Sequence, residues 1–328
     1  MNRIVLSHRL YEPGMKLLEG KGKIVIAREG DAGKIMEQLS AADAFILRIG
    51  RIGKEEIQKC KRLKVITRPG VGVDNVDVEA ATECGIPVVI CPASNYRAVA
   101  EHCLALLMAV SKNMAESVKE TQLGNFAIRN KYAAVDIEGK CIAVLGAGKI
   151  GKEFARMCMA IGMQVIFYDP YVKEEELPDF PCRLERNLAA ALAKADYVSL
   201  HMPLTEKTRH FMGKEQFGQM KEGSFFLNCA RGGLVDEDAL YNALKEGHLA
   251  AAGLDVLAEE PMDVENPLFT LSNAIITPHM AAQTQETTER TVRMAVEGTI
   301  AVLEGKCWEH VCNPQVYGTE AYRNKQNM

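Results

Sequence analysis

Three side chains with complementary chemistry follow three apolar runs in the second half of the sequence. Arg231, Glu260 and His279 each come shortly after one of these runs. Reduction of a carbonyl group by hydride needs a cation that polarises the oxygen, a proton donor that titrates near neutral pH, and a carboxylate that holds the donor. Arginine, histidine and glutamate supply one group each, so the three residues predict this chemistry.

Each of these residues also has an ordinary structural interpretation. Arg231 stands beside two glycines and could belong to a surface turn, His279 follows a proline and could begin a helix, and Glu260 lies in an acidic segment that would normally be solvated. All three follow successive predicted strands, however, and α/β proteins build their sites at strand ends. Their shared placement favours the catalytic interpretation.

A second signal is the glycine turn Gly146–Gly151, which reads Gly-Ala-Gly-Lys-Ile-Gly. It follows the apolar run Cys141–Leu145, opens a predicted helix over Lys152–Ile161, and is followed by Asp169 at the end of another apolar run. This is the order of a dinucleotide-binding unit: the first glycine permits the turn, the second lets the backbone approach a pyrophosphate, and the third lets helix and strand pack closely. The helix N-terminus favours the anion, and the acid would bind a ribose.

Asp169 also predicts which dinucleotide binds. Pro170 and Tyr171 follow it, and no arginine stands directly beside it to receive a 2′-phosphate. A carboxylate at this position repels such a phosphate, so NAD is favoured over NADP.

Short apolar runs alternate with helical patterns along the chain, which predicts a parallel α/β protein. Five predicted strands precede the glycine turn and six begin with it, so we expect two sheets covered by helices on both faces. A long helix is predicted over Tyr96–Lys119, and another over Thr284–Leu303. The predicted strands are Ile4–Ser7, Lys23–Ala27, Ala44–Arg48, Val65–Arg68, Val88–Cys91, Cys141–Leu145, Val165–Tyr168, Tyr197–His201, Ser224–Asn228, Ala251–Asp255 and Ala274–Thr277.

The composition narrows the class of protein. The 328 residues suffice for two domains, and 48% hydrophobic with 25% charged residues is ordinary for a globular chain. A net charge of −4 argues against nucleic-acid binding. No run approaches the roughly 20 apolar residues of a membrane span, and Met1–Ser7 is too short for a signal peptide. The 10 cysteines lack a CxxC pair, which favours reduced thiols in the cytoplasm over a metal site.

The first half holds another candidate site. The glycine-containing segment Thr67–Asp77 follows a predicted strand, and its N–H groups could form a nest for a carboxylate. The alternative is a tight turn in which Asp74 or Asp77 caps the next helix. Arg48, at the end of the third predicted strand, could bind a second anionic group.

Together these motifs resemble the D-isomer-specific 2-hydroxyacid dehydrogenases over nearly the whole chain. Segments 71–75 and 169–171 are most similar to the phosphoglycerate and hydroxypyruvate branch of that family. One departure is Met280–Gln283, where glycines and a serine are more usual, and it leaves the identity of the substrate open. The resemblance is carried by Arg68–Asp77, Gly146–Gly151 with Asp169, His201–Thr205, Asn228–Asp236, Leu254–Pro261 and Thr277–His279.

The resemblance implies two doubly wound parallel-sheet domains. A flavodoxin-like substrate-binding domain of 1–96 and 285–328 would be interrupted by an inserted Rossmann NAD-binding domain of 97–284. It also implies a homodimer, or a tetramer, held mainly through the cofactor domains, with the long predicted helix and the segment after it reaching the partner.

The resemblance further implies a role for each site residue. Arg231 would bind and polarise a 2-oxo acid, His279 would exchange the substrate proton, and Glu260 would favour the imidazolium form of His279. The residues implied at the NAD cofactor are Gly146, Gly148, Lys149, Ile150, Gly151, Asp169, Met202, Pro203, Thr208, Cys229, Ala230, Asp255 and Ala281. Those implied at the substrate are Arg48, Gly70, Val71, Gly72, Arg231 and His279. No metal is implied.

We therefore expect a cytoplasmic NAD-dependent oxidoreductase that interconverts a D-2-hydroxy acid and its 2-oxo acid. Arg48 favours a substrate with a second anion, 3-phosphoglycerate first, with hydroxypyruvate, glyoxylate or sulfolactate chemistry as alternatives. An NAD(H)-sensing binding protein of the corepressor type is the alternative from another class, and the intact Arg–Glu–His set favours the enzyme. We expect no feedback control through a C-terminal regulatory domain of the kind that some phosphoglycerate dehydrogenases carry.

Overall fold

The computed structural model describes residues 1–27, 32–131 and 134–326. The chain forms two compact units, of which the first comprises Met1–Asn95 with Thr284–Met328 and the second comprises Tyr96–Gln283. The second unit is thus a continuous segment that interrupts the chain of the first. The expected division of labour, with substrate binding by 1–96 and 285–328 and NAD binding by 97–284, stays a prediction.

The elements of the described residues are numbered in chain order. The strands are β1 (Arg3–Leu6), β2 (Lys23–Ile26), β3 (Ala44–Ile46), β4 (Val65–Thr67), β5 (Val88–Val89), β6 (Cys141–Leu145), β7 (Gln164–Tyr168), β8 (Cys182–Leu184), β9 (Tyr197–Leu200), β10 (Ser224–Asn228), β11 (Leu249–Leu254) and β12 (Ala274–Ile276). The α-helices are α1 (Glu12–Leu18), α2 (Ala32–Ser40), α3 (Lys54–Lys59), α4 (Val78–Glu83), α5 (Tyr96–Ser111), α6 (Met114–Gln122), α7 (Lys149–Ala160), α8 (Leu188–Lys194), α9 (Lys214–Gln219), α10 (Glu237–Lys245), α11 (Gln285–Leu303) and α12 (Glu320–Gln326). Across this part of the chain, no helix is both long and apolar enough to cross a membrane.

The first unit is built on a parallel sheet with the strand order β2-β1-β3-β4-β5. Apolar side chains form a core on each face of this sheet, as the apolar runs predict for a sheet covered on both sides. Helix α11, which belongs to the C-terminal segment, packs on one face of this sheet. There Thr299 Oγ1 lies 2.7 Å from Thr67 Oγ1 in β4. The order is that of flavodoxin-like sheets.

The second unit contains a seven-stranded parallel sheet in the order β12-β11-β10-β9-β6-β7-β8. Its first strand in the chain, β6, lies inside the sheet, and the chain winds outward from it in both directions, as in dinucleotide-binding folds. The predicted fold class of two doubly wound parallel sheets is confirmed. The pairing places the last residues of six strands in one row across the sheet: Tyr168, Leu145, Leu200, Asn228, Leu254 and Ile276.

Two sequence predictions differ from the structure. The helix predicted over Tyr96–Lys119 is broken into α5 and α6, because Asn113 adopts the left-handed conformation with φ of 47°, which asparagine tolerates better than most residues. The sequence predicts six strands for the second sheet, and the structure adds a seventh, β8. This strand has three residues, lies at the sheet edge and has an exposed central arginine, so it lacks the continuous apolar run that would predict it.

Polar side chains define where several helices begin. The carboxylate or amide oxygens of Asp77, Asn187 and Asp236 each accept a hydrogen bond from the backbone N–H three residues later, and the Thr284 hydroxyl does the same at α11. Each bond satisfies a donor that a helix N-terminus leaves unpaired.

The C-terminal segment is joined to the first sheet by the buried amide of Asn313. Its Oδ1 accepts from Val88 N at 2.8 Å, and its Nδ2 donates to Ile86 O at 3.0 Å and to Thr82 Oγ1 at 2.9 Å. One side chain therefore satisfies the backbone on both sides of Pro87, at the start of β5.

The substitution Asn313→Ala is expected to destabilise the first unit by about 2–4 kcal/mol, because it leaves a buried N–H and a buried carbonyl without partners. The measurement is urea unfolding followed by the fluorescence of Trp308, the chain's single tryptophan, which lies in this unit. The exposed neighbour Gln315 is the control, and Gln315→Ala should change stability by less than about 0.5 kcal/mol. Equal effects of the two substitutions would contradict the role of the Asn313 amide.

Candidate functional site

The glycine turn Gly146–Gly151 connects β6 to α7 and leaves its middle open. Gly146 has φ of 110°, and a Cβ on it would overlap the carbonyl of His201. A Cβ on Gly151 would overlap the Gly146 oxygen, whereas one on Gly148, at the N-cap of α7, would meet nothing within 4 Å. The outer glycines therefore pack the turn, and the middle one exposes backbone at a helix N-terminus, which suits a pyrophosphate.

Asp169 follows β7 beside this turn, and both of its carboxylate oxygens are held. Oδ2 accepts from Ala147 N at 3.0 Å, and Oδ1 accepts from Tyr171 N at 2.9 Å. Although the sequence has no arginine directly beside Asp169, the fold brings Arg186 there, and its guanidinium donates to the Asp169 main-chain oxygen at 2.7 Å.

Arg231 lies in the turn after β10, which the side chain of Asn228 organises. Asn228 Nδ2 donates to Arg231 O at 2.9 Å, and Asn228 Oδ1 accepts from Ala230 N at 3.0 Å. A Cβ on Gly232 would overlap the main-chain carbonyl of Leu257, so this turn packs directly on the turn that follows β11. The role of Asn228 was missed, although an asparagine at a strand end is a common signal for such a turn.

Glu260 and His279 are brought together, as the sequence predicts for a donor and its carboxylate. His279 Nδ1 lies 2.7 Å from Glu260 Oε2, and both side chains are exposed. Because an ionised carboxylate only accepts hydrogen bonds, Nδ1 must carry the proton. The Nε2 atom is therefore left for another partner.

His279 adopts the left-handed conformation with φ of 48°, and Asp255 holds it there. His279 N donates to the Asp255 main-chain oxygen at 2.8 Å, and the N–H groups of Met280 and Ala281 donate to Oδ1 and Oδ2 of its carboxylate at 2.9 and 2.8 Å. A non-glycine residue keeps this conformation only where its surroundings impose it.

The Asp255 carboxylate is fully buried and accepts further hydrogen bonds. Thr277 Oγ1 donates to Oδ1 at 2.5 Å, and His102 Nε2 lies 3.0 Å from Thr277 Oγ1 and 3.4 Å from Asp255 Oδ1. Burial acts to raise the pKa of Asp255, but the bonds from His102, Thr277 and the two amides outweigh it and lower that pKa. His102 and Thr277 were missed, because only the fold brings α5 beside β12.

The other residues predicted at the cofactor follow the same row of strand ends. Met202, Pro203 and Thr208 come after β9, and the Thr208 hydroxyl donates to Pro203 O at 2.7 Å. Cys229 and Ala230 come after β10, while Lys149 and Ile150 begin α7. Cys229 and Ala281 are buried.

The predicted substrate residues of the first unit follow adjacent strands of its sheet. Arg48 comes after β3, where its main-chain N donates to Ser7 Oγ at 2.8 Å, and Gly70, Val71 and Gly72 come after β4. Within this turn, Gly70 N donates to Arg68 O at 2.8 Å. The roles of Gly70, Val71 and Gly72 at a substrate carboxylate stay predictions.

Comparison with known proteins defines the family. Residues 104–281 match the family model described as D-isomer specific 2-hydroxyacid dehydrogenase, NAD binding domain. The chain therefore belongs to the D-isomer specific 2-hydroxyacid dehydrogenases, and this segment is their NAD-binding domain. Within that family it falls in the branch that resembles phosphoglycerate dehydrogenase.

Individual relatives cover most of this chain. It is 40% identical over 314 residues to D-3-phosphoglycerate dehydrogenase of Methanocaldococcus jannaschii, a match over 95% of this chain and 60% of that protein. The chain thus spans about half to three fifths of the length of such relatives.

Among solved structures, a protein from Thermus thermophilus has a TM-score of 0.85 at 34% identity, covering 94% of this chain and 99% of its own. D-lactate dehydrogenase from Aquifex aeolicus, complexed with NAD and lactic acid, has a TM-score of 0.83 at 29% identity, covering 93% and 96%.

Because the backbone at Gly148 is open, a side chain added there should weaken NAD binding without lowering the stability of the fold. Gly148→Ala is expected to weaken NAD binding at least about tenfold, or about 1.4 kcal/mol, because the Cβ occupies the approach of the pyrophosphate. Its stability should match that of the wild type. Calorimetric titration with NAD measures the affinity, and thermal unfolding measures the stability. The control is Gly218→Ala in α9, because a Cβ at Gly218 would also meet nothing within 4 Å. Unchanged NAD affinity in Gly148→Ala would rule out this position for the pyrophosphate.

Proposed function

We propose that this chain is an NAD-dependent dehydrogenase that interconverts a D-2-hydroxy acid and its 2-oxo acid. The observation that carries the proposal is the hydrogen bond of 2.7 Å between His279 Nδ1 and Glu260 Oε2. This pair of side chains lies at the carboxyl edge of the second sheet, where β6 also ends in the glycine turn of the NAD-binding domain. An imidazole held by a carboxylate, with Nε2 available, is the acid–base group that this reaction needs.

The chain's own residues account for the proton and the charge in this reaction. In the reducing direction, Arg231 binds the 2-oxo acid and polarises its carbonyl oxygen, and His279 Nε2 donates a proton to that oxygen. Bound NADH supplies the hydride to C2. Glu260 holds the imidazole through Nδ1, and in the oxidising direction neutral His279 accepts the hydroxyl proton.

The cofactor is held at the edge of the second sheet. The backbone at Gly148, with Lys149 and Ile150 in the first turn of α7, would face the pyrophosphate, and Asp169 would bind the adenosine ribose. The fixed carboxylate of Asp169 disfavours a 2′-phosphate, so the proposal specifies NAD over NADP. Arg186 donates one of its five N–H groups to the Asp169 main-chain oxygen, and the comparison of NADH with NADPH measures whether the others favour a 2′-phosphate.

The first candidate substrate is 3-phosphoglycerate, with its oxidised form 3-phosphohydroxypyruvate. Two features support it: the 40% identity to a D-3-phosphoglycerate dehydrogenase, and Arg48, which follows β3 in the unit expected to bind substrate. Hydroxypyruvate, glyoxylate and sulfolactate chemistry are the alternatives for the same reaction.

The test follows NADH oxidation with 3-phosphohydroxypyruvate, hydroxypyruvate, glyoxylate, sulfopyruvate and pyruvate. We expect 3-phosphohydroxypyruvate to give the highest kcat/KM, and Arg48→Gln to lower it about tenfold to hundredfold, because a hydrogen bond to a charged group contributes about 1.5–3 kcal/mol. Pyruvate turnover should be unchanged in that variant. Arg51→Gln, three residues along the same loop, is the control.

Three outcomes would contradict parts of this proposal. A preference for acids with one anionic group would remove the second-anion role of Arg48. Equal kcat/KM with NADPH and NADH would remove the cofactor preference. The absence of turnover with every acid in the panel would reject the dehydrogenase and leave the nucleotide-sensing alternative.

We further propose a homodimer formed through α6 and the turn that follows it. None of the residues of α6 is buried, and Met114, Val118, Leu123 and Phe126 expose between 48% and 73% of their surfaces. A nine-residue helix with no buried side chain gains little from its own chain, and exposed apolar clusters mark interfaces.

The double substitution Leu123→Glu with Phe126→Glu is expected to convert the dimer to a monomer, because each charge would be buried in the interface. Light scattering after size-exclusion chromatography measures the mass, which should fall from twice that of the chain to once. Val264→Glu, at a side chain that is 82% exposed and outside this cluster, should leave the mass unchanged. A mass four times that of the chain would indicate a tetramer, and a monomeric wild type would reject the dimer.

We also place the protein in the cytoplasm. All 10 cysteines are free thiols in the structure, which suits a reducing compartment.

A further inference from the structure

The segment that carries Glu260 is an acidic surface loop, residues 258–266. The buried Leu257 and Leu268 anchor the chain on either side of this loop, and the half-buried Met262 packs against the core from its middle. Four of its nine residues are acidic, at positions 259, 260, 263 and 265. Like charges at this spacing repel one another, so each contact that holds the loop in one conformation acts against this repulsion.

Glu237, in the first turn of α10, binds this loop near both ends. Its Oε1 accepts from the main-chain N of Ala258 at 2.5 Å, and its Oε2 accepts from Nδ2 of Asn266 at 2.8 Å. Asn266 is fixed in turn, because its Oδ1 accepts from Leu268 N at 3.0 Å. One carboxylate thus bridges the start and the end of the loop.

An ionised glutamate suits this bridge better than any neutral side chain. Both of its oxygens only accept hydrogen bonds, and both face donors. The N-terminus of α10 also favours a negative charge in its first turn, which offsets the repulsion from the acidic loop. A glutamine would present an amide NH₂ to one of the two donors, so it would keep one contact and lose the other.

The geometry points to Glu237 as a positioning residue that holds the loop, and through it the Glu260 carboxylate, against His279. This inference rests on the proposed acid–base role of the Glu260–His279 pair. His279 has its own support, since Asp255 holds its backbone. Glu260 reaches His279 from the loop, so the 2.7 Å contact between their side chains depends on where Glu237 places that loop.

The experiment compares Glu237→Ala and Glu237→Gln with wild type and with Asp238→Asn. Asp238 is the exposed acid next to Glu237 in the same helical turn, and is the matched control for charge. We expect kcat to fall about tenfold to hundredfold in Glu237→Ala, because an error of about 1 Å in placing a catalytic group costs up to about a hundredfold. Glu237→Gln should lose less, and Asp238→Asn should match wild type. The dissociation constant and KM of NADH should stay within twofold in all variants.

A double-mutant cycle decides whether Glu237 acts through Glu260. In the Glu260→Gln background, Glu237→Ala should change kcat by less than twofold, because the contact that it supports is already lost. If Glu237→Ala lowers kcat in that background as much as it does in wild type, the inference is overturned. The same holds if Glu237→Ala weakens NADH binding by the factor by which it lowers kcat, and Glu237 is then assigned to general stability.

Limited proteolysis with a glutamate-specific protease tests the loop without any substrate. Cleavage after Glu259 or Glu265 should be at least about tenfold faster in Glu237→Ala than in wild type or Asp238→Asn, because cleavage follows the population of the opened loop. Unchanged cleavage would overturn the inference whether or not a substrate is found. If the acid panel gives no turnover but cleavage accelerates, the anchoring stands and the acid–base role fails. If Glu237→Ala does not fold, Glu237→Gln gives the same comparison with one bond removed.

Discussion

The buried carboxylate of Asp255 is the constraint on which the arrangement of the site depends. A charge removed from water is costly unless several donors surround it, and here two backbone amides and the Thr277 hydroxyl point at it, with His102 behind them. Those donors can meet the carboxylate only if the chain turns back sharply after β12. The left-handed conformation of His279 is part of that turn.

The sheet then determines which residues share the site. Because its strands are parallel and six of them end in one row, the segments after β6, β7, β9, β10, β11 and β12 leave the sheet at the same edge. The glycine turn, Asp169, Arg231, Glu260 and His279 come from five of these segments. Glu260 and His279, which follow neighbouring strands of this row, come into direct contact there.

The residues that we propose to act directly are named by sequence patterns, whereas most of the residues that contact and support them are not. The glycine spacing, the acid after the next strand and the polar residues at strand ends are local patterns that the chain displays without its fold. Glu237 and His102 have their partners in other segments of the chain, whereas Asn228 bonds to backbone groups of its own turn. Their residue types are common at helix starts, turns and helix faces, so no spacing distinguishes them.

The structure differs from the sequence prediction at the break after α5 and at the strand β8, and neither feature can be recognised from apolar patterns. The break at Asn113 depends on one backbone conformation, which the apolar periodicity of Tyr96–Lys119 does not reveal. The edge strand β8 is held by hydrogen bonds to β7, so its sequence needs little apolar character of its own.

The attachment of the C-terminal segment to the first sheet affects the order in which the two units can fold during synthesis. The second unit is a continuous stretch, and all of its strands have been synthesised once residue 283 has left the ribosome. The first unit at that time lacks α11, with Thr299 against β4, and lacks the amide of Asn313 beside β5. The part of the sheet face that α11 covers, beside α1, therefore stays exposed while the inserted unit is completed. The first unit can accordingly complete its fold only after the inserted unit has been synthesised, and until then its exposed apolar surface is what a chaperone would have to shield in a nascent chain.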